Sequence, residues 1–178
     1  GNTVIRSIGG KQLSIPTPEN WFEVSSEMPK LLKMFEKITL PPNRVVAAFL
    51  PSKDKVKPKL NRYALVLTSK DAEKMPDLPA SEFEWFKSQV KKQQNTLVER
   101  FKEKYGDSWS ISDGASSSKF KIGKMTPIGV FIDKENAFAQ STIMSTETIT
   151  GSSSSYRNVV VSAATLLIKG KMLNIQVT

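Results

Sequence analysis

The chain has 178 residues, 26 Lys plus Arg against 17 Asp plus Glu for a net charge of +9, and no histidine or cysteine. Those two absences exclude histidine proton transfer near neutral pH, thiol nucleophiles, disulfides, and the two commonest zinc and copper ligands. A hydrophobic content of 39% and an aromatic content of 8% exclude wholesale disorder and suit one domain over residues 1–178 with a real core.

Val4 to Ile8 and Lys11 to Pro16 read as a hairpin, because Gly9-Gly10 supplies the positive φ of a tight turn and Leu13 and Ile15 alternate on one face. Pro16 and Pro18 stop the second strand, and Trp21-Phe22 is placed to plug one end of the core. Ser25 or Ser26 can cap a helix through about Ile38, with Leu31, Leu32, Phe35 and Ile38 at helical spacing and Pro41-Pro42 beyond. Arg44 to Leu50 and Arg62 to Ser69 read as an antiparallel pair joined by a loop that carries Lys53, Lys55, Lys57 and Lys59 against Asp54.

Pro76 and Pro79 flank a linker, after which Ser81 caps a predicted helix over 82–105 with Gly106 at its end. Its apolar stripe is Phe83, Phe86, Val90, Leu97 and Phe101, which predicts a helix laid across a sheet with those residues buried. Trp85 falls off that stripe. The polar stretch Asp107 to Ser118, with Trp109 inside it, reads as a loop. Lys119 to Lys124, Pro127 to Asp133, Ala137 to Ile149, Tyr156 to Lys169 and Lys171 to Thr178 then read as strands, the later ones an antiparallel meander with short turns.

This order predicts an α+β domain: a central antiparallel sheet, an N-terminal hairpin, a C-terminal meander, and helices packed on the sheet. The opening Gly-Gly-Lys-Gln-Leu-Ser-Ile-Pro-Thr-Pro-Glu-Asn-Trp (residues 9–21) and the closing hairpin from Thr165 to Val177 resemble the first and last segments of PsbP-like domains. The resemblance implies a PsbP-like sandwich that serves as a non-catalytic accessory or binding module. It carries over no ligand: a metal role through histidine is ruled out here, and no partner-binding motif matches residue by residue.

Candidate chemistry is thin. Ser-x-x-Lys occurs at Ser52/Lys55, Ser88/Lys91 and Ser118/Lys121, close to what chance gives for this many serines and lysines. Asp133/Glu135 and Asp107/Asp113 are carboxylate pairs without the spacing of a calcium loop, and turn chemistry explains the first. No phosphate-binding glycine motif is present. No catalytic residue, metal ligand or cofactor is therefore assigned. The alternating strand Ser141 to Thr148 predicts a hydroxyl-lined sheet face.

The cations carry the remaining signal. Most are lysine, so the surplus reads as a general positive field, and the scarcity of arginine and of neighbouring aromatics disfavours nucleic acid. Lys53, Lys55, Lys57 and Lys59 are the candidate anion-binding set; Trp85 and Trp109 are candidate partner contacts. No run approaches the ~18 apolar residues of a membrane-spanning helix. The opening Gly-Asn-Thr without Met reads as a processed product, and zero cysteine fits export without disulfides, so the expected location is periplasmic or secreted, its signal peptide removed. The last strand ends without a polar tail, which suggests continuation past Thr178. The leading expectation is a non-catalytic envelope accessory or binding module for a protein or anionic envelope component. The alternatives are a hydrolase using serine or carboxylates, and binding to an anionic polymer or membrane through the lysine loop.

Overall fold

A computed structural model describes residues 2–39, 41–59, 61–93, 99, 103, 108–112 and 117–178. The expected α+β domain with helices packed on its sheet is not what forms. More than half of the described residues are strand, and strands outweigh helices more than twofold. An eight-stranded antiparallel sheet and a separate two-stranded hairpin make the framework. The reason lies in the punctuation and the residue types. Prolines at 29, 41, 42, 76 and 79 interrupt helical runs, while the second half of the chain is dense in Val, Ile, Thr and Ser, which suit a pleated surface.

The hairpin pairs β1 (Thr3–Ile8) with β2 (Lys11–Pro16) through Gly9 and Gly10, both at positive φ. The large sheet runs in the order β3 (Trp21–Glu23), β4 (Asn43–Pro51), β5 (Ala64–Ser69), β10 (Lys171–Val177), β9 (Ser153–Ile168), β8 (Ala137–Thr150), β7 (Ser117–Lys134), β6 (Ser108–Ser112). Two expectations fall here. The stretch predicted as a loop, Asp107 to Ser118, contains β6, and the two strands predicted over 119–133 are one strand of 18 residues, kinked by register shifts rather than ended by them.

The core sits at the β4–β5–β10 end. On one face the hairpin sets Ile8 and Leu13 against Ala47, Phe49, Val66 and Leu173. On the other, Phe35 joins Phe22, Val24, Ala48, Leu50, Leu65 and Leu67. The alternation of Ala47/Phe49 with Ala48/Leu50 between the two clusters is the period-two pleat made visible. The single helix predicted from Ser25 is two, α1 (Val24–Glu27) and α2 (Pro29–Ile38), because the chain turns at Met28 before Pro29; Glu23, not a serine, accepts from the backbone at the first cap.

After β5, Ser69 caps α3 (Lys70–Lys74), which the sequence reading did not anticipate. Then α4 (Ala80–Gln93) follows. The expected span to residue 105 and the burial of Leu97 and Phe101 lie outside the described residues, as does Gly106. Of the predicted stripe, Phe83 is fully buried, whereas Phe86 and Val90 are half-buried, so the helix does not lie across the sheet as a covered apolar bar. It is tethered by charge instead. Lys87 Nζ, sunk among its neighbours, reaches Asp133 Oδ1 (3.2 Å), Glu84 Oε1 (2.5 Å) and the carbonyl of Lys134 (2.6 Å). Loss of solvation pulls the Lys87 pKa down, but the bonds from Glu84 and Asp133 outweigh it and the net displacement is upward.

Candidate functional site

The lysine loop between β4 and β5 is a fixed structure for its first half. Trp21 of β3 pairs with Pro51 at the end of β4, and the Ser52 N–H donates to the carbonyl of Asn20 (2.8 Å), fastening the loop start to the neighbouring strand. A 3-10 turn follows over Ser52–Asp54, with Asp54 buried. Lys55 Nζ then meets Glu27 Oε2 of α1 at 2.7 Å and sits 5.8 Å from the centre of the Phe22 ring. At the loop's other end, the Arg62 guanidinium stacks over Trp21, 5.4 Å from the ring centre.

Between these two anchors is a recess of about 300 Å³ lined by Lys53, Asp54, Lys57, Lys59, Asn61 and Arg62. Three of the four predicted lysines therefore converge, and the fourth does not: Lys55 is turned to Glu27. Arg62 and Asn61 complete the set without being legible as such in the sequence, whose pattern starts a strand at Arg62; the strand begins at Ala64, which leaves Arg62 to the loop. The available signal was its position at the close of the lysine loop. Against four cations the recess holds one carboxylate, so its field is positive, and the Arg62 fork can hold two oxygens of a phosphate or carboxylate.

The two aromatic candidates are not brought to this recess. Trp85 lies on α4 and is 66% exposed, its carbonyl accepting from Ser88 Oγ at 2.7 Å. Trp109 lies in β6, in register with Phe120 of β7, not in a loop; its side chain is outside the described residues. The Ser-x-x-Lys pairs are occupied rather than poised. Lys55 is held by Glu27, and Lys91 meets Asp133 Oδ2 at 2.5 Å while Ser88 bonds back to its own helix, so neither lysine faces its serine as a base. The side chain of Ser118 lies outside the described residues.

Of the predicted carboxylate pairs, Asp133 is likewise committed to partners, while Asp107 and Asp113 lie outside the described residues. Asp133 is pulled below the usual aspartate range by hydrogen bonds first from Lys91, then from Lys87. Glu147 is pulled down by the hydroxyls of Ser154 and then Tyr156, with Lys121 at 3.6 Å. No group of three Asp or Glu side chains is placed to hold a metal ion among the described residues. The predicted hydroxyl face is corrected by the register. Ser141 and Ser145 share a face with Ile143, and Ser141 meets Ser162 across the strands at 2.7 Å, while Thr142, Thr146 and Thr148 take the opposite face with Met144. The hydroxyls divide between both sides.

No described helix is long and apolar enough to cross a membrane. No family model matches this chain, and neither the comparison with curated proteins nor that with solved structures yields a match, so the resemblance to PsbP-like domains rests on the quoted segments alone.

Proposed function

We propose that this protein is a non-catalytic binding module of the cell envelope, periplasmic or secreted, that engages an anionic membrane surface through Lys53, Lys57, Lys59 and Arg62. The observation that carries the reading is the convergence of these four cations on one recess, with Arg62 stacked over Trp21 at its rim. A cation near an anionic bilayer contributes about 1 kcal/mol, and contributions of this kind add because they depend on charge more than on fine geometry. The commitment of Lys55, Ser88, Lys91, Asp133 and Glu147 to partners supports binding over hydrolysis. The absence of cysteine supports an exported setting.

Co-sedimentation with phosphatidylglycerol vesicles tests the proposal, with phosphatidylcholine vesicles as control. Binding is expected to the first and not to the second. It should fade as the Debye length falls from about 30 Å at 0.01 M salt to about 8 Å at 0.15 M. Equal binding to both lipids, or none to either, would overturn the reading.

A further inference from the structure

Val56, in the middle of the lysine loop, is 97% exposed, the highest value among the exposed large apolar residues. It belongs to neither core cluster. Lys55 and Lys57 flank it directly, and Lys53 and Lys59 lie three residues away on either side. Ile5, Ile143 and Val160, by contrast, are carried on strands, where pairing obliges one face to meet water. A loop imposes no such alternation, so the exposure of Val56 is a property of this loop.

The loop presents the valine rather than folding it away. The Ser52 N–H is fixed to the carbonyl of Asn20, the Lys55 N–H closes the 3-10 turn on the carbonyl of Ser52 at 3.2 Å, and Asp54 is buried within that turn. Val56 is the second residue after this fixed stretch. Two residues further on, Pro58 disfavours a helical turn at Lys57 and offers no N–H of its own.

We propose that Val56 enters a lipid bilayer at the boundary of headgroups and acyl chains, while Lys53, Lys57, Lys59 and Arg62 hold the headgroup phosphates. This rests on the membrane reading above and narrows it to a bilayer as against a soluble polyanion. A polyanion offers charge and gives a valine nothing, whereas a lipid surface offers phosphate and hydrocarbon within the about 5–10 Å that interfacial segments reach. The lysine stems are apolar up to the ammonium, so they follow the valine down while their charges stay at the phosphate level. Valine has few rotamers to lose on insertion.

Salt separates the two contributions, because screening weakens charge attraction and leaves apolar burial in place. Val56→Ser should weaken binding to phosphatidylglycerol vesicles about threefold, as for partial burial of one valine, and by the same factor at about 0.01 M and about 0.1 M salt. The effect of Lys57→Gln should shrink over that range. The chain has no cysteine, so Val56→Cys takes a nitrobenzoxadiazole label at one place only. Met75→Cys, 61% exposed and beyond the other end of β5, is the control. Both positions are exposed, so circular dichroism should be unchanged. On phosphatidylglycerol vesicles the label at position 56 should shift to the blue and be quenched by nitroxide-bearing lipid, and the label at position 75 should do neither. Soluble polyphosphate should leave both unmoved. A protein that co-sediments while the label at position 56 stays in water, equal shifts at both positions, or Val56→Ser binding as the wild type does would overturn the insertion and leave the membrane reading standing. Failure of the unlabelled wild type to co-sediment would remove both.

Discussion

Lys55 Nζ lies 2.7 Å from Glu27 Oε2, and this pair removes one of the four loop lysines from the anion-binding set while fastening the loop to α1. Removing the pair as a whole, Lys55→Gln with Glu27→Gln, should therefore leave binding to anionic vesicles nearly unchanged, whereas Lys53→Gln, Lys57→Gln or Lys59→Gln should each weaken it severalfold. Vesicle titrations of the double variant and the three single variants give the order directly. The stability change for Lys55→Gln should be small, about 0.5 kcal/mol, because the pair is half exposed.

Arg62 supplies a prediction that needs no lipid. Its guanidinium lies over Trp21, so an anion drawn to Arg62 alters the surroundings of that indole. In a background carrying Trp85→Phe and Trp109→Phe, Trp21 emission should change on addition of inorganic phosphate. Arg62→Gln should abolish the change. Emission that responds equally in both proteins would place the anion elsewhere.

Stability should fall in acid partly through Glu73. Arg44 holds it with Nε to Oε2 at 2.7 Å and Nη2 to Oε1 at 2.6 Å, and the Gly9 N–H adds a third bond at 3.2 Å, tying the hairpin turn to α3. The hydrogen bond from Arg44, chiefly, holds the Glu73 carboxyl below its ordinary 4.5. The unfolded chain then binds the proton first, so this contribution is present above about pH 4.5 and is lost as the pH falls through the depressed folded value. Urea midpoints measured from neutral pH down to about pH 3 should show a smaller acid loss for Glu73→Gln than for the wild type.

The buried member of the α4 stripe is Phe83. Phe83→Ala should cost about 3–5 kcal/mol in urea unfolding, the usual range for deleting a buried phenylalanine. Phe86→Ala, at a half-buried position, should cost clearly less. A larger loss at Phe86 would mean that the helix turns its other face inward.

The local signals in the sequence were those with a strong period or a strict turn. Gly9-Gly10 between alternating strands specified the first hairpin, and the run Val45 to Leu50 specified a buried strand, because backbone sterics and burial act over a few residues there. The global layout was not legible. An amphipathic helix pattern from Phe83 onward does not say what the helix packs on, and here Lys87 and Lys91 on Asp133 decide it through pairs distant in sequence. The pattern divides β7 into two strands, with the second starting at Pro127, yet Pro127 and Gly129 flank a register shift inside one continuous strand rather than an end. At the loop, spacing revealed a lysine cluster but could not show that Lys55 faces Glu27 or that Arg62 closes the recess; both depend on β3 and α1 being folded alongside.

The central claim is that Lys53, Lys57, Lys59 and Arg62 act together on an anionic surface, and the most direct measurement is phosphatidylglycerol vesicle binding at low salt by a variant with all four changed to Gln. At about 1 kcal/mol for each cation, affinity should fall by at least a hundredfold. The urea midpoint should fall by no more than the Arg62–Trp21 contact contributes, about 0.5–1 kcal/mol, since these side chains line an open recess rather than the core. Binding by the fourfold variant that matches the wild type, both tight and both lost together as salt rises, would contradict the account and assign the interaction to another part of the surface.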